Sequence, residues 1–133
     1  MRYRWFVTVA FVAGVSGVAP AWAHHAVQAQ FDFDKPLQLK GVLKKVEWIN
    51  PHAYFFFDVK DESGTVKEWA FETVGPGGLR RAGLSRAGFF KVGETYTVSG
   101  VLAKDGTDHG FVKSFTFPDG RVVTIWFGDP NAR

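Results

Sequence analysis

The chain has 133 residues and a formal charge of +3, which falls to +1 once Arg2 and Arg4 of its basic start are set aside. It has no cysteine and its one methionine is Met1, which excludes disulfide staples, thiol nucleophiles and sulfur ligands for a metal. So small a charge argues against nucleic acid or an anionic membrane as partner.

The first 23 residues read as a signal peptide. Arg2 and Arg4 form the basic n-region, Phe6 to Val18 an apolar run broken by Thr8, Gly14, Ser16 and Gly17, and Ala21-Trp22-Ala23 a small-x-small cleavage signal. The apolar run is too short and too rich in glycine for a membrane span, so the processed chain is expected to be periplasmic or secreted and not an integral membrane protein. A cut after Ala23 makes His24 the new N-terminus; a cut after Ala21, which follows Ala19-Pro20-Ala21, is the alternative. Removing residues 1–23 leaves 110 residues, one small domain, held by the burial of its 12 phenylalanines and three tryptophans.

From His24 to Gln38 no period is sustained and Pro36 interrupts, so residues 24–38 read as an extended arm. The domain is expected over 39–127, with a short tail at 128–133. Leu39 to Ile49 alternates loosely, with Gly41 marking a bulge or bend in a long first strand. After the Asn50-Pro51 turn, His52 to Val59 is the second strand, with Ala53, Phe55, Phe57 and Val59 on one face and His52, Tyr54, Phe56 and Asp58 on the other. Asp61 to Gly64 closes a hairpin into Val66 to Val74. Gly75-Pro76-Gly77-Gly78 ends the sheet, and Leu79 to Phe90, flanked and interrupted by glycines, supports one or two short helical turns. Strands over Thr95 to Leu102 and Phe111 to Phe117 follow, joined by a polar loop that carries His109, and a sixth strand runs from Arg121 to Phe127.

Three strands, a short helix, then two or three strands is the element order of an OB-fold, a small Greek-key barrel, with a β-sandwich as the alternative. The chain also resembles a family of small exported bacterial proteins known as domain of unknown function 6152. The resemblance rests on His24-His25, Phe31-Asp32, Glu47-Trp48-Ile49-Asn50-Pro51-His52, Trp69-Ala70-Phe71-Glu72, Leu79-Arg80-Arg81 and Pro118-Asp119-Gly120. It implies an exported β-domain and assigns no chemistry, and His109 has no counterpart in the pattern.

No Gly-x-Ser-x-Gly or His-Glu-x-x-His is present, and Gly75-Pro76-Gly77-Gly78 lacks the lysine and threonine of a phosphate loop. The histidines carry the functional reading. His24, His25, His52 and His109 are the candidate metal ligands: an N-terminal His24 offers its amine and Nδ1 as a chelate, and one imidazole from His25, His52 or His109 completes a T-shaped nitrogen set. Such a set suits Cu(II), with zinc or nickel as alternatives. Asp32, Asp34 and Glu47 are candidates for orienting a ligand imidazole. The expectation is an exported copper carrier or chaperone that meets a periplasmic or membrane-bound partner protein. Two other readings stand beside it. A metal-free OB barrel would bind a sugar, peptide or partner protein on Trp48, Tyr54 and Phe56, residues that core packing explains equally well. An enzyme would use oxygen or peroxide at the same copper site. Arg80, Arg81 and Arg86 read as a solvated basic face or an anion contact.

Overall fold

The computed structural model of the chain describes residues 27–85 and 88–126. After a helical segment at 27–30, the elements run β1 (Phe31–Glu47), β2 (Tyr54–Lys60), β3 (Val66–Glu72), α1 (Pro76–Arg81), β4 (Thr95–Ala103), β5 (His109–Thr116) and β6 (Val122–Thr124). The strands form one sheet in the order β3-β2-β1-β4-β5-β6, and a parallel β3–β5 pairing closes the first five into a barrel. This is the OB-fold arrangement that the element order implies.

β1 reaches around the barrel because its two halves serve different neighbours. Residues from Phe31 to Val42 pair with β4, and those from Gly41 to Glu47 with β2. The extended chain expected over 24–38 is thus already part of the barrel wall from Phe31 onward. The β1–β2 irregularity lies between Leu43 and Lys45, not at Gly41, so Leu43 and Val46 both turn inward and the alternation expected along this strand breaks at Lys44. At Gly41 the constraint is a close approach: a Cβ there would lie 2.9 Å from the Asp58 carbonyl oxygen.

β2 alternates as its sequence implies. Ala53, Phe55, Phe57 and Val59 are buried, while His52, Tyr54, Phe56 and Asp58 are half-buried on the outward row. The main core joins these residues to Leu43, Phe71, Leu79, Leu84, Tyr96, Val98, Val112 and Phe115. Phe90, in the connection after α1, packs on Phe55, Phe115, Phe117 and Tyr96 with ring centroids 4.7 to 5.6 Å apart, edge-on and tilted geometries that favour aromatic pairs. The helical character expected from Leu79 to Phe90 is confined to Pro76–Arg81, and β6 is shorter than its sequence suggested. Among the described residues no helix is long and apolar enough to cross a membrane.

A second, smaller core occupies the barrel end near the start of β1. Val27, Phe31, Val101, Ala103 and Phe111 are buried there, with Phe33 and Trp126 packed against them. The segment at 27–30 is therefore anchored at both ends, by Val27 as its first residue and by Phe31 just after it.

Candidate functional site

The two loops that flank the usual OB ligand region, β1–β2 and β4–β5, meet at this end of the barrel. His52 closes the first loop. Its backbone is held because Ala53 N–H donates to the Val74 carbonyl at 3.4 Å and Thr73 N–H to the Ala53 carbonyl at 2.9 Å, carrying the β2–β3 ladder past its formal end. His109 is not in a loop, as its polar surroundings suggested, but opens β5, where it pairs with Ala70 of β3. The next residue must be small: a Cβ on Gly110 would lie 2.9 Å from both Leu37 Cδ2 and Phe71 Cε1.

Between the two histidines lies Glu72. It stands directly across the hairpin from Tyr54, and its side chain is only 5% exposed. Glu72 Oε1 contacts His52 Nδ1, and Oε2 lies 3.9 Å from His109 Nε2. A carboxylate only accepts hydrogen bonds, so contact with it places a proton on His52 Nδ1 and leaves Nε2 of the neutral ring as a lone-pair donor. Among the described residues, no lysine or arginine pairs with Glu72, and His109 Nε2 is buried without a hydrogen-bond partner. Its ring stands edge-on to Phe31, with centroids 5.1 Å apart. Tyr54 stands beside the same carboxylate as its cross-strand partner. Burial first, and the charge of Glu72 second, push the Tyr54 phenol above its ordinary pKa.

Tyr54, Glu72 and His109 border a cleft of about 380 Å³ whose walls also include Gln30, Phe31 and Lys104. Cleft and histidines together offer nitrogen and oxygen donors on one side and apolar surface on the other. Among the described residues, no three His, Cys, Asp or Glu side chains form a group able to hold a metal ion.

The remaining sequence candidates lie elsewhere. His24, His25, Arg86 and the cleavage signal fall outside the described residues. Asp32 pairs with Lys35 at 3.3 Å and accepts from Asp34 N–H at 3.1 Å, so these two aspartates serve the start of β1. Glu47 pairs with Lys45 at 2.7 Å and lies across from Tyr54. Trp48 packs into the main core on Phe55 and Phe90, whereas Phe56 points outward beneath the Lys45 ammonium, 4.3 Å from its ring centroid. Of the three aromatic candidates only Tyr54 lines the cleft. Arg80 and Arg81 sit in the last turn of α1 with exposed side chains.

Glu72 was missed as a site residue because alternation alone reads it as an outward, solvated acid beside Glu68 and Ala70. Counting the hairpin back from Asp61–Gly64 would have set it opposite Tyr54, since register fixes cross-strand partners. Lys104 carried no signal of its own.

The model of a protein family described as a family of unknown function, DUF6152, matches residues 12–113. No curated protein matches the chain.

Proposed function

The chain belongs to the family of unknown function DUF6152, and since that membership assigns no activity, we propose that it is an exported OB-fold protein that binds Cu(II) with His52, His109 and the histidines that begin the processed chain, acting as a carrier or chaperone. The observation that carries this reading is the His52–Glu72–His109 constellation: a buried carboxylate orients one imidazole, and a second imidazole nitrogen lies buried and unpartnered beside it. Metal-binding histidines are commonly oriented in this way by a carboxylate on the other ring nitrogen. A buried carboxylate without a lysine or arginine partner also favours a cation close by.

Two imidazoles and one shared carboxylate are too few for the site, so the reading requires donors from beyond the described residues. His24 precedes Val27 by three residues, within about 11 Å of chain, and Val27 is buried in the core that also holds Phe31, the ring against His109. A leader cut after Ala23 would supply the His24 amine and Nδ1, and His25 a further imidazole. All-nitrogen and oxygen donors suit Cu(II), with zinc and nickel drawing on the same set. A metal bound there would present an exchangeable ion at the barrel mouth, and a periplasmic or membrane-bound partner protein would receive it.

The test is Cu(II) titration of the protein purified after export, its N-terminus established by mass spectrometry, against a variant with one residue inserted before His24. The reading expects one tight equivalent, weakened by at least tenfold in the extended variant, about 1.4 kcal/mol. Equal binding by both would overturn the role of the terminal chelate. The size and position of the cleft favour one second reading, a metal-free ligand module that takes a small polar molecule beside Tyr54. Under that reading chelators leave ligand binding untouched, while Tyr54→Ala abolishes it.

A further inference from the structure

We infer that the cleft beside Glu72 is a binding site for a primary alkylammonium group, whose charged head sits between Glu72 Oε2 and His109 Nε2. This rests on the metal-free reading above and deepens it by naming the chemistry of the ligand.

The charge on this cleft is unbalanced. Its walls carry two carboxylates, Glu72 and Asp105, and one ammonium, that of Lys104. The ammonium is turned to the Gln28 carbonyl at 2.7 Å, and among the described residues no lysine or arginine pairs with Glu72. Asp105 is exposed, and its Oδ1 accepts from Thr107 N–H at 3.0 Å and from the Thr107 hydroxyl at 2.7 Å, so the turn and the solvent satisfy it. Glu72 is placed differently: its side chain is only 5% exposed and its contact is with His52 Nδ1. A carboxylate so far removed from water favours a cation in contact with it.

The width of the gap decides the kind of cation. Glu72 Oε2 and His109 Nε2 are 3.9 Å apart, too far to hydrogen-bond each other, and Nε2 is buried with no partner. A nitrogen about 2.9 Å from both atoms would see them roughly 85° apart, so two of an ammonium's three N–H groups would reach them with bends of only about 12°. The imidazole accepts such a bond when its own proton is on Nδ1. A hydroxyl would bridge the same two atoms but leave the carboxylate's charge unbalanced. A metal ion asks for more, since among the described residues no three His, Cys, Asp or Glu side chains form a group able to hold one, whereas an ammonium is a compact charge with freely turning donors. Ala29, Phe31 and Ala103 give the same cleft apolar wall for a short methylene stem. Its volume of about 380 Å³ is that of a small-molecule site.

The test is calorimetric titration of the exported protein, with a chelator present, by pentylammonium, 1-pentanol and pentanoate, three ligands with one stem and different heads. Pentylammonium should bind with a Kd of about 1 mM or tighter, and the alcohol and the acid about tenfold more weakly or worse. Glu72→Gln keeps a carbonyl oxygen for His52 Nδ1 and removes the charge. It should weaken pentylammonium by about tenfold or more, the range of a hydrogen bond to a charged group. A blocked glycine-lysine-glycine peptide presents the same head on a lysine side chain: tighter binding of the peptide supports the inference with a partner protein's lysine as ligand, and tighter binding of pentylammonium supports it with a free amine. Equal binding of pentylammonium and 1-pentanol would overturn the inference and leave a metal-free module for polar ligands standing. Pentylammonium binding that Glu72→Gln leaves unchanged would also overturn it, by placing the ligand elsewhere on the barrel, and so would no binding at about 10 mM. The three-ligand comparison uses the wild type alone and therefore decides the matter even where Glu72→Gln fails to fold. Binding that occurs only without the chelator would overturn the metal-free reading itself, and this inference with it.

Discussion

Glu72 is the residue on which the proposed site depends. Among the described residues it is one of two buried polar or charged ones, the other being Thr73, and it contacts His52 while facing His109 and standing across the hairpin from Tyr54. Truncation to Glu72→Ala would leave the half-buried His52 Nδ1 without its acceptor, at a cost of about 1–3 kcal/mol in denaturant unfolding of the metal-free protein. Glu68, four positions earlier on the same strand, pairs with Lys44 at 2.7 Å in an exposed setting, and Glu68→Ala should shift the same transition far less. Similar shifts for both would mean that Glu72 is not an organising residue. At this scale the sequence singled out His52 and His109, which the structure places on either side of Glu72, and gave no reason to single out Glu72 itself. A histidine is rare enough to single out, whereas Glu72 differs from its neighbours only through a cross-strand register, and Asp32 and Asp34 look equally apt until β1 is seen to bind them locally.

The elements succeed or fail as holders of the two loops. Gly75, just before α1, lets the β1–β2 loop dock on the end of β3: a Cβ there would lie 2.4 Å from the Pro51 carbonyl oxygen and 3.1 Å from Asn50 Oδ1. Gly75→Ala must push that loop, and His52 with it, so it should destabilise the fold by roughly 1–3 kcal/mol and weaken copper binding as well. Unchanged unfolding in Gly75→Ala would show that the loop is free to move. At the opposite side Tyr96, on β4, accepts a hydrogen bond from Lys91 N–H at 2.9 Å and keeps its phenol above its ordinary pKa, chiefly because burial disfavours the phenolate. The folded state therefore holds this proton to higher pH than the unfolded chain does. Its contribution is complete below the unfolded value, about 10, and is lost as pH rises through the folded value. Tyr96→Phe should cost about 1–2 kcal/mol at neutral pH and flatten the alkaline part of the stability profile, measured by urea unfolding from pH 8 to 11. A steeper alkaline loss in Tyr96→Phe would contradict that assignment. Strand periodicity made the two faces of β2 readable, because one is packed and the other is not, whereas in β3 Glu72 is buried on the row that alternation reads as outward. β1 was less readable, since Lys44 at its bulge switches which residues face inward, and the helix shrank because Gly77, Gly78 and Gly83 give little support to anything longer.

For the molecule as a whole, strand order, barrel closure and the approach of the β1–β2 and β4–β5 loops followed from the order of elements, but the carboxylate between His52 and His109 did not. That His52 and His109 share one carboxylate depends on the parallel β3–β5 pairing, a contact between distant segments that no local pattern encodes. The same closure places Phe31, packed in the smaller core, edge-on to His109. The central claim is that barrel histidines and terminal histidines meet on one ion, and pulsed electron paramagnetic resonance of the Cu(II)-loaded exported protein tests it most directly. The wild type is predicted to bind one Cu(II) with couplings from three or more nitrogens, at least one of which disappears in His52→Ala or His109→Ala. A spectrum identical in the wild type and in the His52→Ala/His109→Ala double variant would contradict the claim, since copper would then reside on the terminus alone.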